Sequence, residues 1–210
     1  MPDSLRRLAR QFLYIRQADA RASRLAMFRL ALQYDCYVSS QALVYCPEKI
    51  ELARGVQIHP GAMLNYRSNF ETYAINIRIG EGTKVMPGAR LVPQQGRIVI
   101  GRNCTIQYGC LLYGVGQLEI GDDVRMAAYT VVTPMNHVFT DPNVPIRLQG
   151  ETATGVLIGS DVWIGAGVKI VDGVSIGDGC VVGAGSVVTT DLPPFAVAVG
   201  APARIVRQRR

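Results

Sequence analysis

The chain has 210 residues and a net charge of +6, with 49% hydrophobic and 18% charged residues. That is enough for one well-buried core and short for two, and it is too apolar for a disordered linker despite 22 Gly and 11 Pro. No run of eighteen apolar residues exists, and Arg6, Arg7 and Arg10 interrupt the first leucines, so neither a spanning helix nor a cleaved secretory leader is expected.

Residues 3–34 place Leu5, Leu8, Phe12, Ile15, then Leu25, Phe28 and Leu32 at steps of three and four, which predicts one or two amphipathic helices with an Arg-rich outer face. Residues 1–34 carry seven Arg against Asp3 and Asp19, and residues 204–210 carry four more Arg, leaving the stretch between them at −3. Charge held at two ends does not make a nucleic-acid reading face. The first 45 residues are expected to be a helical cap or arm. Peripheral contact of residues 1–34 with anionic lipid at the inner membrane is the other reading.

From residue 46 a period of six takes over. Apolar residues follow in triplets: Leu52, Ile58, Leu64; Ile79, Val85, Leu91; Ile100, Ile106, Leu112; Ile120, Met126, Val132; Ile158, Ile164, Ile170; Ile176, Val182, Val188. Three residues beyond these eighteen positions lies Gly, Asn or Asp in thirteen cases, so the chain can turn a corner every six residues. An inward apolar residue, a very short strand and a permissive corner make one side of a triangular prism, and three sides make an eighteen-residue coil. The fold class is an all-β solenoid over residues 46–192. The period breaks after Leu64, Leu91 and Leu112. It breaks most widely between Val132 and Ile158, where an inserted loop spans residues 133–157. Residues 193–210 are expected to be a basic tail.

The run Val162 to Val188 and the ending that follows it resemble the bacterial hexapeptide-repeat acyltransferases, and within them the sugar O-acetyltransferases of lipopolysaccharide and capsule pathways. The resemblance covers roughly residues 50–210. It implies a left-handed parallel β-helix, a homotrimer with sites between subunits, and direct transfer from acetyl-CoA to a sugar or glycan acceptor; five cysteines without a Cys-x-x-Cys pair suit a reducing cytoplasm. It makes His137, at the base of the inserted loop, the general base. Near-neutral titration suits an imidazole to that role, although the same residue could be a plain polar loop residue. A thioester is already activated, so alignment, one proton transfer and oxyanion stabilisation suffice.

Around His137 the candidate acceptor contacts are Asn136, Asp141, Gln149 and Trp163. Asp141, four residues on, or a backbone carbonyl would orient the ring. Relatives place an Asn one coil earlier, where this chain has Gln107. On the donor side the resemblance assigns Gly165, Ala166, Ala184, Thr189 and Thr190 to an acetyl-CoA groove, with Thr190 standing where relatives often have Lys. Arg204 and Arg207 are candidates for its phosphates. Cys104, Cys110 and Cys180 fall at small inward positions and are expected to be buried free thiols; none is placed as a nucleophile. His59 is expected at an ordinary corner. An N-acetyltransferase of an amino sugar, an antibiotic or maltose-type acetyltransferase and a non-catalytic scaffold remain the alternatives. A zinc enzyme of the three-histidine type is a further rival that two histidines far apart in the coil order do not favour.

Overall fold

The computed structural model describes residues 28–65 and 74–209. Strands of two to five residues fall into three stacked sheets of nine, seven and six strands, visited in rotation. Tyr37–Val38, Gln57–Ile58, Lys84–Val85, Thr105–Ile106, Arg125–Met126, Trp163–Ile164 and Val181–Val182 succeed one another in the first sheet. The second runs from Leu43–Val44 to Val187–Val188, and the third from Ile50–Leu52 to Ser175–Ile176. Each strand pairs in parallel with those one circuit away, as Ile106 with Met126 and Ile164 with Val182. The architecture is a parallel β-helix.

All eighteen apolar positions of the six-residue period lie in this core at 3% exposure or less. The outward ion pairs Arg78–Glu51, Arg97–Glu119 and Arg102–Asp122 bridge adjacent circuits at 2.6, 3.1 and 2.8 Å, but they are solvated and add little to what the core supplies. Of the thirteen Gly, Asn and Asp corner residues, all but Asp191 adopt positive φ. Tyr129 adopts it too, at +59°, although a side chain there costs about 1–2 kcal/mol. Its ring covers Gly109 of the preceding circuit, where a Cβ would stand 2.7 Å from ring carbons Cδ1 and Cε1.

Three expectations are corrected. The coiled region begins at Tyr37–Val38 and Leu43–Val44, inside the stretch assigned to the cap. Val38 and Val44 keep the six-residue step, stacking on Ile58 and Leu64, but the 3-10 turn Pro47–Lys49 then adds two residues, so the next position in register is Leu52. Residues 193–210 are not a loose tail: Ala196–Val199 joins the first sheet, Arg204–Gln208 folds back antiparallel on it, and Arg209 Nη1 reaches Asp161 Oδ2 at 2.7 Å. In the helical residues 28–34 the buried side chain is Leu30, whereas Phe28 and Leu32 are exposed, so the inward face is not the one the spacing predicts. The earlier part of the predicted helices lies outside the described residues. No helix among the described residues is long and apolar enough to cross a membrane.

Candidate active site on an inserted arm

The inserted loop is an ordered arm. Asn136–His137 and Glu151–Thr152 form an antiparallel ribbon, and the 3-10 turn Ile146–Leu148 lies between them. At the outer end the Gln149 carboxamide closes the turn: Nε2 donates to the carbonyls of Asp141 and Val144 at 2.8 and 2.6 Å, and Oε1 accepts from Asp141 N–H at 3.1 Å. At the root the Asp172 carboxylate accepts from the N–H groups of Thr154 and Gly155, both at 2.9 Å. Together these hold a segment rich in Pro, Asn and Thr in one shape. A cleft beneath the outer end is lined by Phe139, Pro142, Val144, Pro145 and Ile146, and His137 is not part of that lining.

His137 stands on this ribbon with more than half its side chain exposed, and its Nδ1 lies 3.6 Å from Glu151 Oε1. Asp141 does not reach it. The Asp141 carboxylate caps its own turn, taking Asn143 N–H at 2.9 Å. Asn136 sits beside His137 on the same strand, opposite Thr152. Gln149 is consumed in the arm, so its amide shapes the loop and is not free for an acceptor. Glu151 and Asp172 escaped the sequence reading, because cross-strand register and a root clamp are not visible as spacing.

The donor-side residues lie on the coil, at both edges of the second sheet and on the final strand of the first. Ala128, Ala166 and Ala184 form one column at the corner between the first and second sheets, linked by Gly167 N–H to Ala128 O and Gly185 N–H to Ala166 O at 2.9 and 2.8 Å. Ala166 and Ala184 are exposed, Gly165 behind them is buried, and Trp163 projects outward, 58% exposed, between Arg125 and Val181. Gln107 lies at the same corner, its backbone spent on Met126 O and Cys110 N–H. The column position of Ala128, one circuit before Ala166, was available from the period but hidden by the insertion between them. Thr189 and Thr190 follow the last strand of the second sheet, exposed, and Arg204 and Arg207 are exposed on the final strand. The arm leaves the far edge of the second sheet, after Thr133. The root of the arm and the alanine column therefore lie at opposite edges of one sheet.

Covalent catalysis by cysteine finds no support in the geometry. Cys104, Cys110 and Cys180 are buried, and their thiols donate to the carbonyls of Gly121, Ala127 and Pro193 at 3.1, 3.2 and 3.1 Å. Burial pushes all three thiols up, Cys110 to about 11, away from the thiolate a nucleophile needs. His59 packs edge-to-face against Tyr37 at 5.8 Å, an ordinary corner contact.

Residues 155–190 match the family described as bacterial transferase hexapeptide (six repeats). The chain carries the transferase hexapeptide repeat. Over 187 residues the hexapeptide-repeat chain is 29% identical to a probable acetyltransferase of Mycobacterium tuberculosis, covering 89% of itself but only 56% of that relative, so it spans little more than half of it. Among solved structures it is similar to AntD, an N-acyltransferase from Bacillus cereus in complex with dTDP and coenzyme A. The TM-score is 0.61 at 23% identity, covering 85% of this chain and 86% of the other. It is also similar to the polySia-specific acetyltransferase NeuO, with a TM-score of 0.59 at 26% identity, covering 80% of this chain and 68% of that one.

Proposed function

We propose that the protein is an acetyl-CoA-dependent O-acetyltransferase acting on a sugar of a cell-envelope polysaccharide, with His137 as general base. The observation that carries this reading is a lone, accessible imidazole on an arm braced at both ends, in a hexapeptide-repeat chain whose buried thiols offer no covalent alternative. His137 takes the acceptor hydroxyl proton as the oxygen attacks the acetyl carbonyl, the C–S bond breaks, and the proton passes to the departing thiolate. A positioned base is worth about 10² to 10⁴-fold in such a step.

The exposed Ala166 and Ala184 fit a pantetheine arm, because methyl groups let a ligand approach the corner backbone, and the exposed Arg207 and Arg204, the latter with Nη1 donating to Ala203 O at 2.9 Å, have further N–H groups to offer phosphates. The root of the arm and the column leave opposite edges of one sheet, which supports a site that takes its base from one copy and its wall from the next. We take the assembly to be a homotrimer of left-handed β-helices, with the residues before Tyr37 as its cap and the cytoplasm as its place, peripheral to the inner membrane if the Arg-rich segment binds lipid. An amine acceptor would use the same base, and the likeness to an N-acyltransferase keeps that second reading.

The test is release of free thiol from acetyl-CoA with a panel of neutral, amino and acidic sugars and envelope glycans. Acceptor-dependent release that falls by about 10² or more in His137→Ala is expected. Undiminished release in that variant refutes the assignment, and transfer to amines alone replaces the O-acetyl reading with the N-acetyl one.

A further inference from the structure

We propose that Glu151 is the positioning residue of the site, holding His137 so that Nδ1 carries the proton and Nε2 presents its lone pair to the acceptor. The inference rests on the reading of His137 as base. His137 and Glu151 are direct partners in the antiparallel ribbon, so their side chains leave the same face, at the separation where cross-strand pairs interact. Glu151 Oε1 is 3.6 Å from Nδ1, longer than a formed hydrogen bond. Such contacts are often long before substrate arrives and tighten in the complex.

The other acidic groups of the arm and its root are committed elsewhere: Asp141 to Asn143 N–H, Asp172 to the N–H groups of Thr154 and Gly155. The register that brings Glu151 opposite His137 is itself secured, by Val138 N–H on Gly150 O at 3.0 Å and by the Gln149 turn. A carboxylate can only accept, so it selects the Nδ1–H tautomer and leaves Nε2 basic. A glutamine in its place can turn its NH₂ toward Nδ1 and favour the opposite tautomer, which has no lone pair at Nε2. The pair is half-exposed in the single chain and contributes little to stability there, so its role is orientation.

The experiment uses the full chain with ¹⁵N-labelled histidine. Only two histidines are present, so comparison with His137→Ala assigns the signals. The wild type is expected to show His137 mainly as the Nδ1–H tautomer. Glu151→Ala and Glu151→Gln are expected to shift it toward Nε2–H and to lower kcat by about 10- to 100-fold, with KM for acetyl-CoA unchanged. Glu151→Asp is expected to recover part of both. Glu151→Gln is isosteric, which separates a lost charge from a lost ribbon. An unchanged tautomer or an unchanged kcat in Glu151→Gln overturns the proposal while leaving His137 as base. A wild-type rate in His137→Ala overturns the base reading and this proposal with it.

Discussion

Gly165 and Ala166 are neighbours whose substitutions should separate fold from function. A Cβ on Gly165 would lie 2.5 Å from Ala184 N, 2.8 Å from Ala184 Cα and 2.9 Å from Gly183 C, all backbone of the next circuit. Comfortable contact needs about 3.5 Å, so Gly165→Ala must part the two circuits by roughly 1 Å. That would strain the bonds Gly165 N–H to Val182 O and Gly185 N–H to Ala166 O, both now 2.8 Å. Overpacking of this kind costs about 1–3 kcal/mol, which for a chain of this size lowers Tm by roughly 2–12 °C. The Ala166 side chain points to solvent, so Ala166→Leu should change stability by no more than about 0.5 kcal/mol. The added isobutyl group would occupy the space above the alanine column, and acetyl-CoA affinity should fall at least about tenfold, or 1.4 kcal/mol. Melting curves and calorimetric titration with acetyl-CoA measure both. If Gly165→Ala melts with the wild type, the circuits are not packed as described; if Ala166→Leu binds normally, the column does not hold the donor.

Alkaline stability should depend on buried thiols: Cys110 is raised from 9.0 to about 11, so the unfolded chain ionises first, and its contribution is full below pH 9 and lost as pH rises toward 11. Cys110→Ala, which places there the residue already found at Ala62 and Ala89, should flatten urea-measured stability across that window by about 1.4 kcal/mol per pH unit, and an unchanged slope would refute the assignment. Gln149→Ala removes three hydrogen bonds from the arm and none from the core, so hydrogen exchange or protease nicking over residues 138–150 should rise while Tm moves by less than about 2 °C; a large fall in Tm would mean that the arm is part of the cooperative unit. Gly109→Ala should destabilise by at least about 1 kcal/mol through its +64° φ and its approach to the Tyr129 ring. In a Tyr129→Gly background the second cause vanishes, so a double-mutant cycle by denaturant should give a coupling above about 0.5 kcal/mol, and additivity would refute the ring contact.

The coil was legible because its rule is local. An apolar residue every six positions and a corner former three places later repeat often enough for a break to stand out, and each such position is where the period puts it. The misjudged stretches are those where the rule is locally obscured. At the start, the turn Pro47–Lys49 shifts the phase by two residues and hides the strands Tyr37–Val38 and Leu43–Val44. At the end, Ala196, Val197 and Ala198 are all buried, an alanine-rich strand with no hexad to announce it. Tyr129 shows the converse: its corner geometry is imposed by circuits on either side, which overrides the preference of its own residue type.

The site was legible only in the residues that interrupt the pattern. His137 could be singled out as an unusual residue in the largest gap, but its partner could not, because spacing along the chain offers Asp141 at four residues while antiparallel pairing delivers Glu151 at fourteen. Likewise Gln149 reads as a polar residue available to a ligand until its three hydrogen bonds are drawn. The deeper limit is geometric. A repeat specifies which residues stack within one chain, and here it stacks the alanine column on one edge of the second sheet and roots the arm on the other. The period thus records how circuits stack and not how the arm is disposed toward the column, so whatever selects the acceptor is written in residues that a one-dimensional repeat does not register.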